Sequence, residues 1–373
     1  MSSSSPNPSS PHPSPQHPTP PHPTPPPETH SRPFFHAVLR LGSAVYRLRV
    51  RQAKRWKFVE QLVAYSGYGT QTRVRVLGRV LLASNHGPGN GTDRAVKTVV
   101  GNVRGWRAFT SVPVQNREVE IELGGEFHRV RADRGGLIDT NVPVRLPPGW
   151  HTAVFRAAGM SPVEAPIFVI AADTRFGIVS DIDDTVMVTA LPRPFLALWN
   201  TFVVSEHART PTPGMAVLMD RLAVEYPDAP VIYLSTGPWN AAPTLARFLA
   251  RNMYPAGALL LTDWGLTQER WFRSGREHKR RNLELLAEEF PGIRWLLIGD
   301  NGQHDEEIYA EFSRRHPDLT AAVAIRQLSV GESVLSGGRS TDGQQDQPAP
   351  STDWVYAPDG AGMAKQLHQI RIL

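Results

Sequence analysis

The sequence predicts an α/β protein in which a doubly wound parallel sheet follows a β-sandwich. Three observations carry that expectation. Short segments alternating at period two fill residues 60 to about 170, continuous apolar runs alternate with helical stretches beyond Phe176, and several of those runs end on acidic or hydroxyl residues. A half-buried antiparallel strand alternates, whereas a strand covered on both faces is apolar throughout.

The chain has 373 residues, 40% of them hydrophobic, enough for one large core or two modest ones. Its formal charge is +5, and lysine occurs only at positions 54, 57, 97, 279 and 365. The absence of cysteine excludes disulfides, iron–sulfur clusters, thiolate zinc and thiol nucleophiles. The arginines are spread along the chain without interleaved aromatics, so no nucleic-acid partner is expected. Oligomeric state has no signature.

Residues 1–33 are proline, serine and histidine with almost nothing to bury, which reads as a disordered, partly polyproline II tail; its His-Pro repeats are a solvated spacer or a weak metal site. No apolar h-region opens the chain and no run nears the roughly 20 apolar residues of a membrane span. The expectation is a cytoplasmic protein, peripheral on a membrane if it meets one. Segment 34–59 carries a basic amphipathic helix over 34–58, with Arg40, Arg47, Arg51, Lys54 and Arg55 opposite Phe34, Val38, Leu41, Val45, Leu48 and Trp56. Such a helix suits an anionic lipid surface, or packs its apolar stripe on the next domain.

Residues 60–172 form the β-sandwich domain. "RVRVLGRVLL" (73–82) and "EVEIEL" (118–123) alternate, with turns at Gly124-Gly125 and Asp133 to Gly136. It has no catalytic cluster. Residues 173–330 carry the parallel sheet, with strands at 177–180, 230–235, 257–262, 294–299 and 321–325 and helices near 193–204, 214–226, 241–252, 278–290 and 305–315. A flexible linker (331–352) and a docking C-terminal segment (353–373) follow.

In a sheet of this kind ligands bind beyond the carboxyl ends of the strands. The first strand ends in Asp181, Asp183 and Thr185, the pattern D-x-D-x-T, and crowded carboxylates persist mainly where a cation or phosphate uses them. Asp181 could attack phosphorus, Asp183 could act as acid and then base, and Asp184 should point away; the alternative is an acidic turn. "VIYLSTGPWN" offers Ser235, Thr236 and Gly237 ahead of a helix, an anion site or merely a tight turn. Lys279 in "REHKRRNL" is a fixed cation for a transferring phosphoryl group, or part of a basic surface run. In "WLLIGDNGQHDEEIY", Asp300 can meet Asp181 and bind Mg2+ with it, while Asp305 also suits a helix N-terminus.

In that order these motifs resemble the haloacid dehalogenase superfamily. Within it, "FGIVSDIDDTVMVTALPR", "ARTPTPGM", "VIYLSTGPWN", "LLLTDWG", "GREHKRRNL" and "LIGDNGQHDEEIY" resemble the catalytic domain of actin-patch-protein type phosphatidate phosphatases and their bacterial relatives. "AYSGYGT…GRVLL" (64–82) is similar to the β-domain preceding it in bacterial members. The resemblance implies a HAD-like phosphatase turning phosphatidate into diacylglycerol. Only residues 186–213 separate the first catalytic loop from the next helix and no long insertion follows Ser235, so no large cap is expected and the open site can meet a membrane surface. The expected site has Asp181, Asp183, Ser235 and Lys279 as catalytic residues, Thr185, Thr236 and Gly237 on the phosphate, and Asp181, Asp183, Asp300 and Asp305 on Mg2+. Two alternatives stand beside it: the same chemistry on a soluble phosphomonoester, and a non-catalytic scaffold bridging membrane and partner. In the short insert after the first strand, Phe195, Trp199 and Phe202 either pack on the sheet or dip into a bilayer.

Overall fold

A computed structural model describes residues 48, 50–53, 55, 56, 58–84, 111–188, 210–262, 268–302, 304–329 and 352–373. The tail 1–33, most of the helix expected over 34–58, the insert with Phe195, Trp199 and Phe202, and nearly all of the linker 331–352 lie outside the described residues. Residues 50–53 and 55 are helical, Trp56 is exposed, and a strand begins at Phe58, inside the segment expected to stay helical. The β-pairing of Phe58 and Val59 with Ser84 and Ala83 ends the helix there.

The alternating segments become β1 (Phe58–Gly69), β2 (Arg73–Ser84), β3 (Val112–Pro113), β4 (Glu118–Leu123), β5 (Glu126–Arg131), β6 (Leu137–Pro143), β7 (Gly149–Arg156) and β8 (Val163–Val169). They form one sheet in the order β3-β2-β1-β8-β7-β4-β5, with β6 also on β2. The expected sandwich is therefore one hydrogen-bonded sheet, curled around its own core of Leu62, Val74, Val76, Ile121, Phe155 and Ile167 among others. Continuity comes from the length of β2, which pairs with β6 through Arg73 to Arg79 and with β3 through Leu81 and Leu82.

β1 and β2 are buried on both faces. Leu62, Ala64, Val74 and Val76 point into the curl, whereas Val63, Tyr65, Leu77 and Leu81 join the core of the second sheet. A bulge between Tyr65 and Tyr68, where register passes from Leu77 to Arg75, sets both tyrosines on that second side despite their odd spacing.

The second sheet is parallel and six-stranded, in the order β13-β12-β9-β14-β15-β16. Its strands are β9 (Phe176–Ser180), β12 (Val231–Pro238), β13 (Ala258–Thr262), β14 (Arg294–Asp300), β15 (Thr320–Arg326) and β16 (Trp354–Ala357), with a small hairpin, β10 (Met187–Val188) and β11 (Thr210–Pro211), beside it. Helices among the described residues include α1 (Met215–Glu225), α2 (Ala242–Arg251), α3 (Gln268–Glu289), α4 (Asp305–Arg315) and α5 (Gly360–Gln369). Strand β16 adds a sixth strand beyond the five expected, and α3 begins at Gln268 rather than near 278. Within the sheet the order is third, second, first, fourth, fifth, sixth, so the topological switch falls between β9 and β14. That is the crevice where such a sheet takes its ligand.

Polar contacts join the two sheets. Arg75, nearly buried, forks onto Asp139 at 2.6 and 2.8 Å and donates to Tyr68 Oη at 3.1 Å and to Asn282 Oδ1 on α3 at 3.0 Å. Arg79 donates to the Gly135 carbonyl at 3.1 Å and to Asn240 Oδ1, and Tyr65 stacks on Trp239 at 5.0 Å between centroids.

His278 lies beside this junction, partly buried on α3. Burial above all, then the charge of Arg75, lowers its imidazole to about 4 against the hydrogen bond with the Leu260 backbone. The folded form thus refuses a proton that the unfolded chain accepts below about 6.5. This contribution is complete above that pH and is lost as pH falls toward 4. Urea midpoints of the parent and His278→Gln between about pH 7 and pH 4.5 should diverge, the parent losing up to about 1.4 kcal/mol more per pH unit; parallel slopes would contradict the assignment.

Candidate active site

The ladder that pairs β9 with β14 runs one residue past the strand, the Asp181 amide donating to the Ile298 carbonyl at 2.8 Å. Asp181 is thereby fixed at the switch point. From the neighbouring strand end, Asp300 accepts at Oδ1 from the Gly302 amide at 2.6 Å. Lys279, on α3, donates to Asp181 Oδ1 at 2.6 Å and to Asp305 Oδ1 at 2.5 Å. Lys279 is 1% exposed, and Asp181, Asp300 and Asp305 are as deeply buried.

Asp305 opens α4, but its position owes more to Gly299 than to the helix terminus. A Cβ at residue 299 would stand 2.7 Å from Asp305 Cβ and 2.8 Å from the Tyr309 ring. Gly275, one helical turn before Lys279, brings α3 against Thr236 in the same way, where a Cβ would sit 3.0 Å from Thr236 Cγ2.

Ser235 donates to Asp183 Oδ2 at 2.8 Å and accepts from the Gly237 amide at 2.9 Å. The Gly237 N–H expected to hold a phosphate is therefore engaged within its own turn. Residues 235–237 lie within β12, which runs on past the expected end at 235, and a single 3-10 turn, Trp239–Ala241, separates them from the helix α2 expected beyond them. The Thr236 carbonyl accepts from Thr262 Oγ1 at 2.9 Å. Thr185 is buried, and its hydroxyl has no hydrogen-bond partner among the described residues.

Charge is unbalanced here. Asp181, Asp300 and Asp305 offer oxygens within 4.8 Å of one another, and three carboxylates against one ammonium leave two negative charges over. Asp183, expected among the metal ligands, is not in this trio; its side chain is turned to Ser235. Burial opposes the Lys279 ammonium, but the charges of Asp181 and Asp305 outweigh it and hold the lysine well above its usual range. Burial, then the charges of Asp305 and Asp184 against that of Lys279, raises Asp300. Burial, with Asp305, Asp300 and Asp183 against Lys279, raises Asp181 likewise. Asp181 Oδ2 and Asp300 Oδ2 are buried without a hydrogen-bond partner among the described residues. Two such oxygens beside an excess of two charges fit Mg2+, which favours one or two carboxylates plus oxygens of water or phosphate.

Three residues escaped the sequence reading. Asp184, expected to point away, is buried at a φ of 59° and close enough to raise Asp300. Arg326 donates to the Asp184 carbonyl at 2.7 Å, and Tyr254 to the Val186 carbonyl at 2.8 Å. The one visible hint was an arginine ending the otherwise apolar run "TAAVAIR".

Residues 176–327 match the family described as phosphatidate phosphatase APP1, catalytic domain. The phosphatidate phosphatase APP1 of Saccharomyces cerevisiae is 24% identical over 154 residues, 41% of this chain and 26% of that protein. An uncharacterised protein of Schizosaccharomyces pombe is 26% identical over 155 residues, 40% of this chain and 25% of that protein. The chain thus spans about a quarter of the length of these curated relatives. A solved structure of PhoD is 9% identical, covers 72% of this chain and 71% of its own, and superposes with a TM-score of 0.32, too low to bear on the fold.

Two outcomes test this geometry. Gly299→Ala should cost about 1–3 kcal/mol by pushing Asp305 off Lys279, read as a lower urea midpoint; an unchanged midpoint would mean that residue 299 does not hold Asp305 in place. Mg2+ should raise the melting temperature of the parent and not of Asp300→Asn, while in chelator that variant, relieved of repulsion, should be at least as stable as the parent. Equal Mg2+ shifts in both proteins would remove Asp300 from the metal site.

Proposed function

We propose that this chain, which over residues 176–327 belongs to the phosphatidate phosphatase APP1 catalytic-domain family, is a Mg2+-dependent phosphatase converting phosphatidate to diacylglycerol through an aspartyl-phosphate. The observation that carries the proposal is the buried bridge from Lys279 to Asp181, which grips Oδ1 and leaves Oδ2 without a hydrogen-bond partner among the described residues. The strand order and the places of Asp181, Ser235, Lys279 and Asp300 along it also suit a haloacid dehalogenase type fold.

Asp181 attacks phosphorus, the bond to the diacylglycerol oxygen breaks, and Asp183 gives that oxygen its proton. Water then attacks phosphorus, Asp183 takes a proton back, and the bond to Asp181 breaks to release inorganic phosphate. Ser235 orients Asp183 by its hydrogen bond to Oδ2. Lys279 faces the charge that develops on the phosphoryl oxygens, a role worth about 3–4 kcal/mol when a single fixed donor is involved. Asp181 and Asp300, with Asp305 beside them, would hold Mg2+, whose chemistry when bound is to neutralise phosphate oxygens. Thr185, whose buried hydroxyl has no hydrogen-bond partner among the described residues, and the Thr236 hydroxyl are donors for the phosphate from the expected set.

Among the described residues no helix is long and apolar enough to cross a membrane. Phosphatidate resides in a bilayer, so the proposal sets the site at a membrane surface, with the basic segment 34–58 as its contact.

Phosphate release from phosphatidate vesicles, with and without Mg2+, tests this against short-chain soluble phosphomonoesters. Equal amounts of phosphate and diacylglycerol should appear from vesicles, vanish in chelator, and fall at least about a thousandfold in Asp181→Asn. Faster turnover of the soluble esters would move the assignment to a soluble substrate, and release from neither would overturn it.

A further inference from the structure

We propose that Arg79 of the curled sheet is a positioning residue for the reaction: through Asn240 it holds the turn that presents Ser235 to Asp183. The inference rests on the function proposed above. Residues 235–238 need an external support, because the pairing of β12 with β13 lapses between Leu234 and Pro238. Inside the parallel sheet, that stretch is tied by Thr262 Oγ1, at 2.9 Å from the Thr236 carbonyl and 3.3 Å from that of Gly237. Ser235 is hydrogen-bonded to Asp183 and Thr236 packs against Gly275 of α3, and further ties come from the other sheet, at the two residues that follow the stretch. Tyr65 stacks on Trp239 with 25° between the rings, and Arg79 donates to Asn240 Oδ1.

The placement of Arg79 is costly. It is 8% exposed, and among the described residues its hydrogen bonds go to the Gly135 carbonyl and the Asn240 amide oxygen, with no carboxylate against the guanidinium. A buried ion without its counter-charge lowers stability, and a well-packed apolar residue would serve a purely structural role at least as well. What an apolar residue cannot do is fix Asn240 through a directed hydrogen bond. Arg75, four residues earlier on the same face of β2, shows the same use, its bond to Asn282 falling three residues beyond Lys279 on α3. Two of the segments that carry polar site residues around Asp181 and Asp183 are thus gripped by arginines of one strand.

Arg79→Ala should lower kcat on phosphatidate vesicles about tenfold to a hundredfold, as a displaced reacting group does, with KM changed less than about twofold. Arg79→Lys, which keeps a donor, should recover part of the loss. Asn240→Ala should match Arg79→Ala, and the double variant should be no worse than either. Asn141→Ala, which removes a contact between the curled sheet and Glu289 at the end of α3, should leave kcat unchanged. Amide hydrogen exchange over residues 235–241 should quicken in Arg79→Ala beyond the rest of β12. A lower melting temperature with parental kcat, or exchange raised evenly over the chain, would overturn the positioning role; losses that multiply in the double variant would show that Arg79 does not act through Asn240. If the parent releases phosphate from no substrate, the proposed function fails, and the exchange pattern still decides the positioning claim.

Discussion

A buried ammonium shared by two carboxylates is the constraint around which the rest of the parallel sheet is arranged. Lys279 reaches Asp181 and Asp305 from a helix on the far side of the chain's middle, 98 residues from the first and 26 from the second. An ion so deeply buried is tolerated only when paired, and stripping one partner from such a pair typically costs about 3–5 kcal/mol. Three elements therefore have to agree to within a hydrogen bond. β9 must end at Asp181, α3 must pass close enough for a lysine to arrive, and α4 must start where the absent side chain of Gly299 admits Asp305. The same grouping leaves more negative charge than the lysine can answer, which gives a divalent cation its place beside the nucleophile of the proposed reaction.

The curled sheet extends that constraint. Its two longest strands are covered on both sides, one face closing the curl and the other lying on the parallel sheet with Leu77 and Leu81 in a shared core. The bulge in β1 turns Tyr68 to the same side as Tyr65, so that one aromatic meets Trp239 and the other Phe290. A sheet that looks like a separate module along the sequence thus contributes side chains to the neighbourhood of the site, through residues more than a hundred positions away in the chain.

The parallel strands were legible because burial on both faces makes them short and uniformly apolar, and Asp181 and Asp300 were legible because they stand where such strands stop. Scarcity of lysine exposed Lys279. Other features depend on partners that a linear pattern does not name. Alternation in "RVRVLGRVLL" identifies a strand with two faces, yet it does not say that its arginine face is buried, nor that β2 joins what looked like two sheets into one. The direction of the Gly237 N–H depends on one hydrogen bond inside the turn, and the turning of Asp183 toward Ser235, away from the other acids, depends on another. Arg326 reaches a carbonyl 142 residues away, and β16 is only four residues long, too short for a periodicity to register. Asp184 takes a left-handed backbone that aspartate tolerates, which carries it inward rather than away.

The central claim is that Asp181, held by Lys279, receives the phosphoryl group. Acid quenching during turnover of phosphatidate, followed by peptide mapping by mass spectrometry, asks this directly. A phosphoryl group on the peptide containing Asp181, absent when that residue is asparagine, is the result this account predicts. Steady turnover with no phosphorylated enzyme, or with the group on another peptide, would contradict it.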